Sequence, residues 1–241
     1  MHYPDVSCCM PTYGRPVELL NESVYSFLEQ DYPGNKELVI YNDNSQINFT
    51  INHPEIRMIN SKIREPDLGS KYNKTVDYSK YNQILLWDDD DICLRHRIRY
   101  SIESMIDDVF IAEKYYIYYV ARNRIEIIQN HVPATLCINK DIWYEQGGYD
   151  PKDRGADLKM AMFAKNMMKR AAGMSNDDIF YIYKWEPSAR YHHSAVTRNN
   201  TDEQARELID KKIPEAIKGD FVIQPQHYTN YNDLINSLTS N

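Results

Sequence analysis

The stretch Ile84-Leu85-Leu86-Trp87-Asp88-Asp89-Asp90-Asp91 joins a short apolar run to four consecutive aspartates. The apolar run predicts a buried strand, so the aspartates fall where that strand emerges at the edge of a sheet. Carboxylates this close together raise one another's pKa and destabilise the fold, and a divalent cation is the usual compensation. Ligands that are all oxygen atoms favour Mg²⁺ or Mn²⁺, shared with phosphate oxygens. The alternative interpretation is a solvated acidic turn that stabilises the start of a helix expected near Leu94.

Strands and helices alternate through the first half of the chain. Apolar runs and turn residues predict, in order, the strand Val6–Met10, a helix from Pro16 to about Gln30, the strands Glu37–Tyr41 and Ile56–Ile59, a helix over about Ser70–Tyr78 and the strand Gln83–Trp87. This order predicts an α/β fold with a mostly parallel sheet flanked by helices and a ligand site at the carboxyl ends of the strands. Thr12, Asp43 and Asp88 lie just beyond three of these strands and are expected to meet there.

The second half of the chain has a less regular pattern. It predicts a helix over about Leu94–Met105, strands at Tyr115–Val120, Arg124–Gln129 and Ala134–Ile138, a short helix ending at Gly147-Gly148, a helix over about Ala156–Ala172, a strand at Ile179–Tyr183 and a charged helix over Asp202–Lys218. No linker rich in Gly, Ser or Pro divides the chain, which predicts one continuous domain followed by a helical tail.

The charge of the chain bears on its partners. A formal net charge of −7 over 241 residues disfavours a large nucleic-acid interface. A local basic patch for nucleic acid is still conceivable, built from Arg95, Arg97, Arg99, Lys169 and Arg170. The alternative interpretation of these residues is a helix face in water.

The cysteines and the apolar runs bear on the compartment. Cys8, Cys9, Cys93 and Cys137 lack the paired spacing of metal ligands and are expected to be buried, reduced thiols. There is no signal-peptide pattern and no stretch of about 18 uncharged apolar residues that could span a bilayer. We therefore expect a cytoplasmic protein, in the host cytoplasm if the source is viral rather than bacterial, with peripheral contact to a membrane left open.

Four motifs in the same order resemble family 2 glycosyltransferases of the GT-A fold, the nucleotide-diphospho-sugar transferases. They are Val6-Ser7-Cys8-Cys9-Met10-Pro11-Thr12-Tyr13-Gly14-Arg15, Asp43, the block Leu86–Asp91, and Gly147-Gly148-Tyr149-Asp150 followed by Asp157. The resemblance implies a GT-A domain over residues 1–195, with a nucleotide-binding half at 1–93 and an acceptor half at 94–195. Residues 196–241 lie beyond it as a C-terminal helical extension.

The resemblance assigns the nucleotide to the ends of the first two strands. It implies that Pro11, Thr12, Arg15 and Asp43 bind the base and ribose, and a carboxylate and an arginine suit those groups and a phosphate. Further nucleotide contacts are expected from Lys71, Asn73, Asp88 and Asp89. Tyr72 stands where the family usually has arginine, and a lysine beside it, Lys71 or Lys74, would have to supply that charge. The alternative for Asp43 is a tight turn capped by its own side chain.

The same resemblance implies a metal that bridges the diphosphate. The aspartate block corresponds to the family's Asp-X-Asp element, which gives Asp88 and Asp90 as ligands, and either His192 or His193 would complete the shell. Such a metal, Mn²⁺ or Mg²⁺, neutralises the charge that develops on the departing nucleoside diphosphate.

The acceptor side is expected after the Gly-Gly turn. The resemblance implies that Asp157 removes a proton from the acceptor hydroxyl, although Ala156 replaces the glutamate that usually precedes it, and Asp150 and Asp153 are the alternatives. The acceptor is expected to contact Trp143, Gly148 and Trp185. Core packing is the alternative for each tryptophan.

Together these features predict a metal-dependent, inverting glycosyltransferase. The expected donor is a nucleoside-diphosphate sugar, by default a UDP-sugar with dTDP- and GDP-sugars open, and the expected acceptor is a hydroxyl of a glycan or lipid-linked saccharide. Three alternatives remain: transfer to a hydroxylated base of viral DNA, a sugar-1-phosphate nucleotidyltransferase, and a glycan- or cation-binding module without catalysis. A nucleotidyltransferase normally has a Gly-rich loop with Arg and Lys after the first strand, whereas this loop has only Gly14.

Overall fold

The computed structural model describes residues 3–153, 155–169, 173–186, 201, 203–204, 206–208 and 218–240. In these residues the strands are β1 Val6–Thr12, β2 Lys36–Asn42, β3 Ile47–Thr50, β4 Ile56–Asn60, β5 Gln83–Leu86, β6 Ile92–Cys93, β7 Val109–Phe110, β8 Lys114–Tyr119, β9 Arg124–Gln129, β10 Cys137–Asn139, β11 Tyr181–Trp185 and β12 Gly219–Val222. The α-helices that lie wholly within these residues are α1 Val17–Leu28, α2 Leu68–Asp77, α3 Arg97–Glu103, α4 Lys140–Glu145, α5 Leu158–Met168 and α6 Tyr231–Asn236. Short 3-10 turns cover Val120–Arg122, Pro133–Thr135 and Ser237–Ser240.

The central sheet has the strand order β4-β2-β1-β5-β10-β7. Strand β1 pairs in parallel with β2 and β5, β2 pairs in parallel with β4, and β10 runs antiparallel to both of its neighbours. All seven residues of β1 are buried, as expected for a central strand covered on both faces. This arrangement confirms the predicted α/β fold with a mostly parallel sheet. The carboxyl ends of β1, β2 and β5 therefore lie at one edge and bring together the segments that follow them.

A second sheet in the order β6-β11-β8-β9 lies beyond the aspartates. Its strand β6 lies directly before the helix expected from Leu94, and that helix begins later than predicted. Ile92 and Cys93 are buried and pair antiparallel with β11, and the Leu94 N–H donates to the carbonyl of Phe180 at 2.7 Å. Because this backbone is used for strand pairing, helix α3 begins only at Arg97.

The C-terminal segment contributes a strand as well as helix. Strand β12 pairs in parallel with β3, and the rings of Phe49 and Phe221 lie 6.0 Å apart across the pair. Residues 203–204 and 206–208 are helical, while the rest of the predicted helix over 202–218 lies outside the described residues apart from Lys218. The segment is thus expected to be integrated with the nucleotide-binding half rather than appended to the acceptor half.

The buried Glu22 fixes this segment to the domain. Its carboxylate accepts hydrogen bonds from the Tyr228 N–H at 3.0 Å and the Tyr231 hydroxyl at 2.9 Å. The Lys184 Nζ donates to the same carboxylate at 2.6 Å. A single glutamate of α1 therefore joins the C-terminal segment to β11. In the part of the chain that the structure describes, no helix is long and apolar enough to cross a membrane.

Arg97 lies in the core, fully buried, and its guanidinium lies 4.4 Å from the ring centre of Trp87. It donates to the carbonyls of Leu86 and Ala134 and to the Sγ of Cys93. The predicted basic patch is therefore wrong at this residue. The thiol prediction is confirmed, since all four cysteines are free and buried.

Arg97→Met is expected to lower the free energy of unfolding by about 3 kcal/mol, because it leaves the buried carbonyl of Leu86 and the partly buried carbonyl of Ala134 without these donors. Urea denaturation measures this change. Arg99→Met is the matched control on the same helix: its side chain is 37% exposed and pairs with Asp31 at 3.2 Å, and such surface pairs contribute less than about 1 kcal/mol. Equal urea midpoints for the two variants would contradict the structural role given to Arg97.

Candidate active site

A cleft of about 510 Å³ opens at the carboxyl edge of the central sheet. It brings together most of the residues predicted from the sequence: Pro11, Thr12, Arg15, Asp43, Lys71, Asp88, Asp89, Asp90 and Asp157. They come from the ends of β1, β2 and β5, from α2 and from the start of α5. Segments far apart in the sequence therefore meet because parallel strands end at the same edge.

Two tyrosine hydroxyls hold Asp88. The Tyr72 hydroxyl donates to one carboxylate oxygen at 2.7 Å and the Tyr181 hydroxyl to the other at 2.9 Å. Burial raises the pKa of Asp88, and these two hydrogen bonds oppose the shift because they favour the ionised carboxylate. The same Tyr181 hydroxyl, which has one proton to share, also lies within hydrogen-bond distance of Asp91, whose other oxygen accepts from the Lys184 N–H at 2.7 Å. Asp91 is thus used to join the aspartate block to β11.

Arg15 pairs with the two aspartates in the middle of the block. Its Nε lies 2.7 Å from Asp89 Oδ1 and its Nη2 lies 3.0 Å from Asp90 Oδ2. The Asp90 side chain is 17% exposed, against 6% for Asp89. Asp90 is therefore the more accessible of these two carboxylates, and any cation that binds it has to share it with Arg15 or displace the guanidinium.

The donor atoms in the cleft fit a divalent cation held together with a phosphate. Among the described residues, no group of three or more His, Cys, Asp or Glu side chains is arranged to hold a metal. Mg²⁺ sites, however, need only one or two carboxylates when substrate phosphates and water complete the shell. Asp90 is accessible, and each oxygen of Asp88 keeps a lone pair beyond its tyrosine bond. His192 and His193, the other predicted ligands, lie outside the described residues.

Asp43 also lines the cleft, where it is buried against Lys71. The Lys71 Nζ is 2.7 Å from Asp43 Oδ1, and the Glu65 N–H donates to Asp43 Oδ2 at 3.0 Å. Burial lowers the pKa of Lys71, and the Asp43 carboxylate opposes that shift. The local turn is capped instead by Asn42 and Asn44, whose side-chain oxygens accept the N–H groups two residues further on. The alternative of a self-capped turn at Asp43 is therefore wrong.

Asp157 lines the cleft at the start of α5. Burial raises its pKa above the ordinary value for aspartate. Of the two rival carboxylates, Asp150 pairs with Lys152 at 2.9 Å and does not line the cleft. Asp153 lines it, but one of its oxygens accepts the Leu68 N–H at 2.9 Å. Asp157 is thus the carboxylate of this segment that best combines access to the cleft with a raised pKa.

Four predicted residues do not line the cleft: Asn73, Trp143, Gly148 and Trp185. Asn73 uses its amide on the backbone of Tyr149, donating to the carbonyl and accepting from the N–H, each at 2.9 Å. Gly148 has a φ of +66°, and a Cβ there would lie 2.4 Å from the Asn73 side-chain oxygen. Trp143 is fully buried, as its core-packing alternative requires. Asn73, Gly148 and Trp143 thus support the wall that carries Tyr149. Trp185 instead packs against Tyr183 on β11, with ring centres 6.0 Å apart.

Several cleft residues were missed by the sequence analysis: Tyr13, Arg64, Tyr115, His131, Tyr181, Tyr183 and Arg206. Tyr181 and Tyr183 alternate along β11 and so share one face, a signal that the sequence does contain. The guanidinium of Arg64 lies 3.4 Å from the ring centre of Tyr13, from a loop that carries no recognisable pattern.

The fold is that of the GT-A glycosyltransferases, as comparison with solved structures shows. The S. aureus TarS fragment 1-349, solved in complex with UDP, superposes with a TM-score of 0.52 at 12% identity, over 87% of this chain and 70% of that one. The same fragment has been solved with UDP-GlcNAc (TM-score 0.51, 11% identity, 87% and 71% covered). The mannosyltransferase PcManGT from Pyrobaculum calidifontis, in complex with GDP-Man and Mn²⁺, gives 0.54 at 15% identity, over 90% of this chain and 66% of that one.

Sequence comparison identifies the family. The model of glycosyl transferase family 2 matches residues 7–169, more than half of the chain. The protein therefore belongs to glycosyl transferase family 2, and this membership supports a role in glycosyl transfer. No curated protein matches the sequence.

Proposed function

We propose that this protein is a metal-dependent, inverting glycosyltransferase that moves a sugar from a nucleoside diphosphate to a hydroxyl group. The observation that carries the proposal is the meeting of Asp43, Asp90 and Asp157 in one cleft, from the ends of β2 and β5 and the start of α5. The three carboxylates have distinct surroundings: one is paired with a lysine, one with an arginine, and one has a pKa raised by burial. Such differences allow separate roles in binding, charge neutralisation and proton transfer.

The donor's nucleotide is assigned to the end of the cleft with Thr12, Asp43 and Lys71. A carboxylate can accept from a base N–H or a ribose hydroxyl, and the ion pair with Lys71 holds the Asp43 carboxylate in place. Arg15 can exchange its carboxylate partners for the diphosphate, since a guanidinium binds either group. The solved GT-A structures with UDP, UDP-GlcNAc and GDP-Man support a nucleoside-diphosphate sugar as donor, and a UDP-sugar is the default.

Asp90, together with Asp88, would hold Mn²⁺ or Mg²⁺. When bound, the cation supplies Lewis-acid stabilisation of the charge on the leaving diphosphate. Tyr72 and Tyr181 fix the orientation of the Asp88 carboxylate. The buried Arg97 lowers the cost of keeping that carboxylate charged, although burial is the larger influence on its pKa.

Asp157 is assigned as the base that takes the proton of the acceptor hydroxyl. One base and one stabilised leaving group suffice for a single displacement, which inverts the anomeric carbon and needs no covalent nucleophile. The aromatic side chains of Tyr115 and Tyr183 line the cleft and offer surfaces suited to sugar rings. These features support a glycan or a lipid-linked saccharide as the acceptor.

Thermal unfolding with a panel of nucleotides tests the proposal. At about 100 times its Kd, the preferred nucleoside diphosphate should raise the Tm by about 5 to 10 °C with Mn²⁺ present. UMP, GMP and dTMP are the matched controls, because each lacks the second phosphate, and EDTA should remove most of the effect. The sugar nucleotide of the preferred base is then tested for transfer to saccharide acceptors. If none of UDP, GDP and dTDP shifts the Tm with Mn²⁺, the proposed function is wrong.

A further inference from the structure

We propose that Arg206 is a positioning residue. It holds the backbone before α2, on the side of the cleft that contains Asp43, against the segment that leads to Asp157. Arg206 lies in a helical stretch, residues 206–208, beyond the residues 7–169 that match the family. It nevertheless lines the cleft. The inference rests on the proposed function for its effect on turnover, while the contacts themselves can be tested separately.

On the nucleotide side, Arg206 binds the backbone just before α2. Its two terminal nitrogens donate to the carbonyls of Glu65 and Pro66. The N–H of Glu65 donates to Asp43 Oδ2 at 3.0 Å, and its carboxylate accepts from the Tyr41 hydroxyl at 2.6 Å. Arg206 is therefore linked to the carboxylate assigned to the nucleotide through one residue, Glu65, whose backbone N–H and carbonyl are both hydrogen-bonded.

On the acceptor side, Arg206 faces the segment that leads into α5. Its Nη1 lies 3.8 Å from Asp153 Oδ2, and Asp153 Oδ1 accepts from the Leu68 N–H at 2.9 Å. The Gly69 N–H donates to the Lys152 carbonyl at 3.2 Å. A Cβ on Gly69 would lie 1.9 Å from the Asp150 carbonyl oxygen, so the two backbones are in close contact. The segment that ends at Asp157 thus packs on the start of α2, next to the Arg206 site.

The chemistry of the guanidinium explains why one residue can join these segments. A planar guanidinium has five N–H donors and can serve two carbonyls and a carboxylate together, whereas a lysine presents one point charge. The Arg206 side chain is 24% exposed and Asp153 is 11% exposed, so the ion pair is partly screened and the carbonyl bonds carry more of the specificity. A loss of Arg206 should therefore loosen the relative positions of Asp43 and Asp157, rather than simply remove a charge.

Steady-state kinetics of Arg206→Met and Arg206→Lys test the positioning role. Both variants are expected to lower kcat by about tenfold to a hundredfold, because small displacements of reacting groups have effects of this size. The KM for the donor should rise by less than the fall in kcat. Glu207→Gln, an exposed neighbour, is the matched control and should behave like the wild type. Full recovery in Arg206→Lys would overturn the proposal, since it would mean that only the charge matters.

Hydrogen exchange provides a readout that does not depend on turnover. In Arg206→Met, the backbone amides within residues 65–69 and 150–157, other than at Pro66 and Pro151, should exchange faster than in the wild type, while the amides of β1 and β5 stay protected. Exchange rates at 65–69 and 150–157 equal to those of the wild type would overturn the proposal. The wild type could transfer no sugar while Arg206→Met still exchanges these amides faster than the wild type does. In that case the proposed function fails and the Arg206 contact stands.

Discussion

Asp157→Asn is expected to lower the rate of glycosyl transfer by roughly 10² to 10⁴-fold while leaving the affinity for the donor nearly unchanged. The amide keeps the shape of the side chain but cannot take the proton of the acceptor hydroxyl. Calorimetry with the nucleoside diphosphate and single-turnover kinetics separate binding from chemistry. Slow hydrolysis of the donor is expected to persist, because water can still reach the anomeric carbon.

Asp150→Asn is the matched control for this prediction, since Asp150 precedes the same helix but does not line the cleft. Near wild-type transfer by Asp157→Asn, together with loss of transfer in Asp150→Asn or Asp153→Asn, would assign the base elsewhere in the segment. The pH profile gives a second check. A base acts when ionised, so the rate falls as the pH drops through its pKa. Because burial raises the pKa of Asp157, the acid limb should lie above the ordinary aspartate value of about 3.9.

Asp90→Ala is expected to lower kcat/KM by roughly 10³-fold in a protein that remains folded, because the charge on the leaving diphosphate is no longer neutralised. In calorimetry, the variant should also bind the nucleoside diphosphate with the same affinity in the presence of Mn²⁺ and in the presence of EDTA. In the wild type, chelation should weaken binding by about tenfold or more, since the carboxylates of the cleft repel an uncompensated diphosphate.

Asp31→Asn is the control for the loss of a carboxylate that pairs with an arginine. Asp31 pairs with Arg99 in the same way that Asp90 pairs with Arg15, but Asp31 does not line the cleft. It should leave turnover and metal dependence unchanged. Equal affinity of the wild type for UDP with Mn²⁺ and with EDTA would refute the metal assignment for the aspartate block. In that case Arg15 would be the leading candidate for neutralising the diphosphate.

The parts of the fold that could be predicted are those in which local pattern and burial agree. Strand β1 is a continuous buried run, and the apolar residues before Asp88 mark β5, so the position of the cleft follows from the sequence. Strands β3 and β12 were not predicted because each has only four residues and is stabilised by a partner 172 positions away. Pairing at that distance leaves no local periodicity to read.

Within the site, residue types were easier to predict than their partners. The aspartate block and Asp43 were expected to contact ligands, but the sequence does not reveal that Arg15 pairs with Asp89 and Asp90. Asn73 was expected at the phosphates, yet its amide binds the backbone of Tyr149. A side-chain amide can form hydrogen bonds with either a ligand or the protein backbone, and only the three-dimensional arrangement decides between the two.

The pairing of β3 with β12 has a consequence for how the chain folds during synthesis. Strand β3 leaves the ribosome early, and its partner follows 172 residues later, which at typical rates of translation is a delay of roughly 10 to 30 s. During that time the edge of β3 and the ring of Phe49 are open to pairing with other chains. Nascent or truncated chains that lack residues 219–222 should therefore depend on chaperones and aggregate more readily than the whole chain.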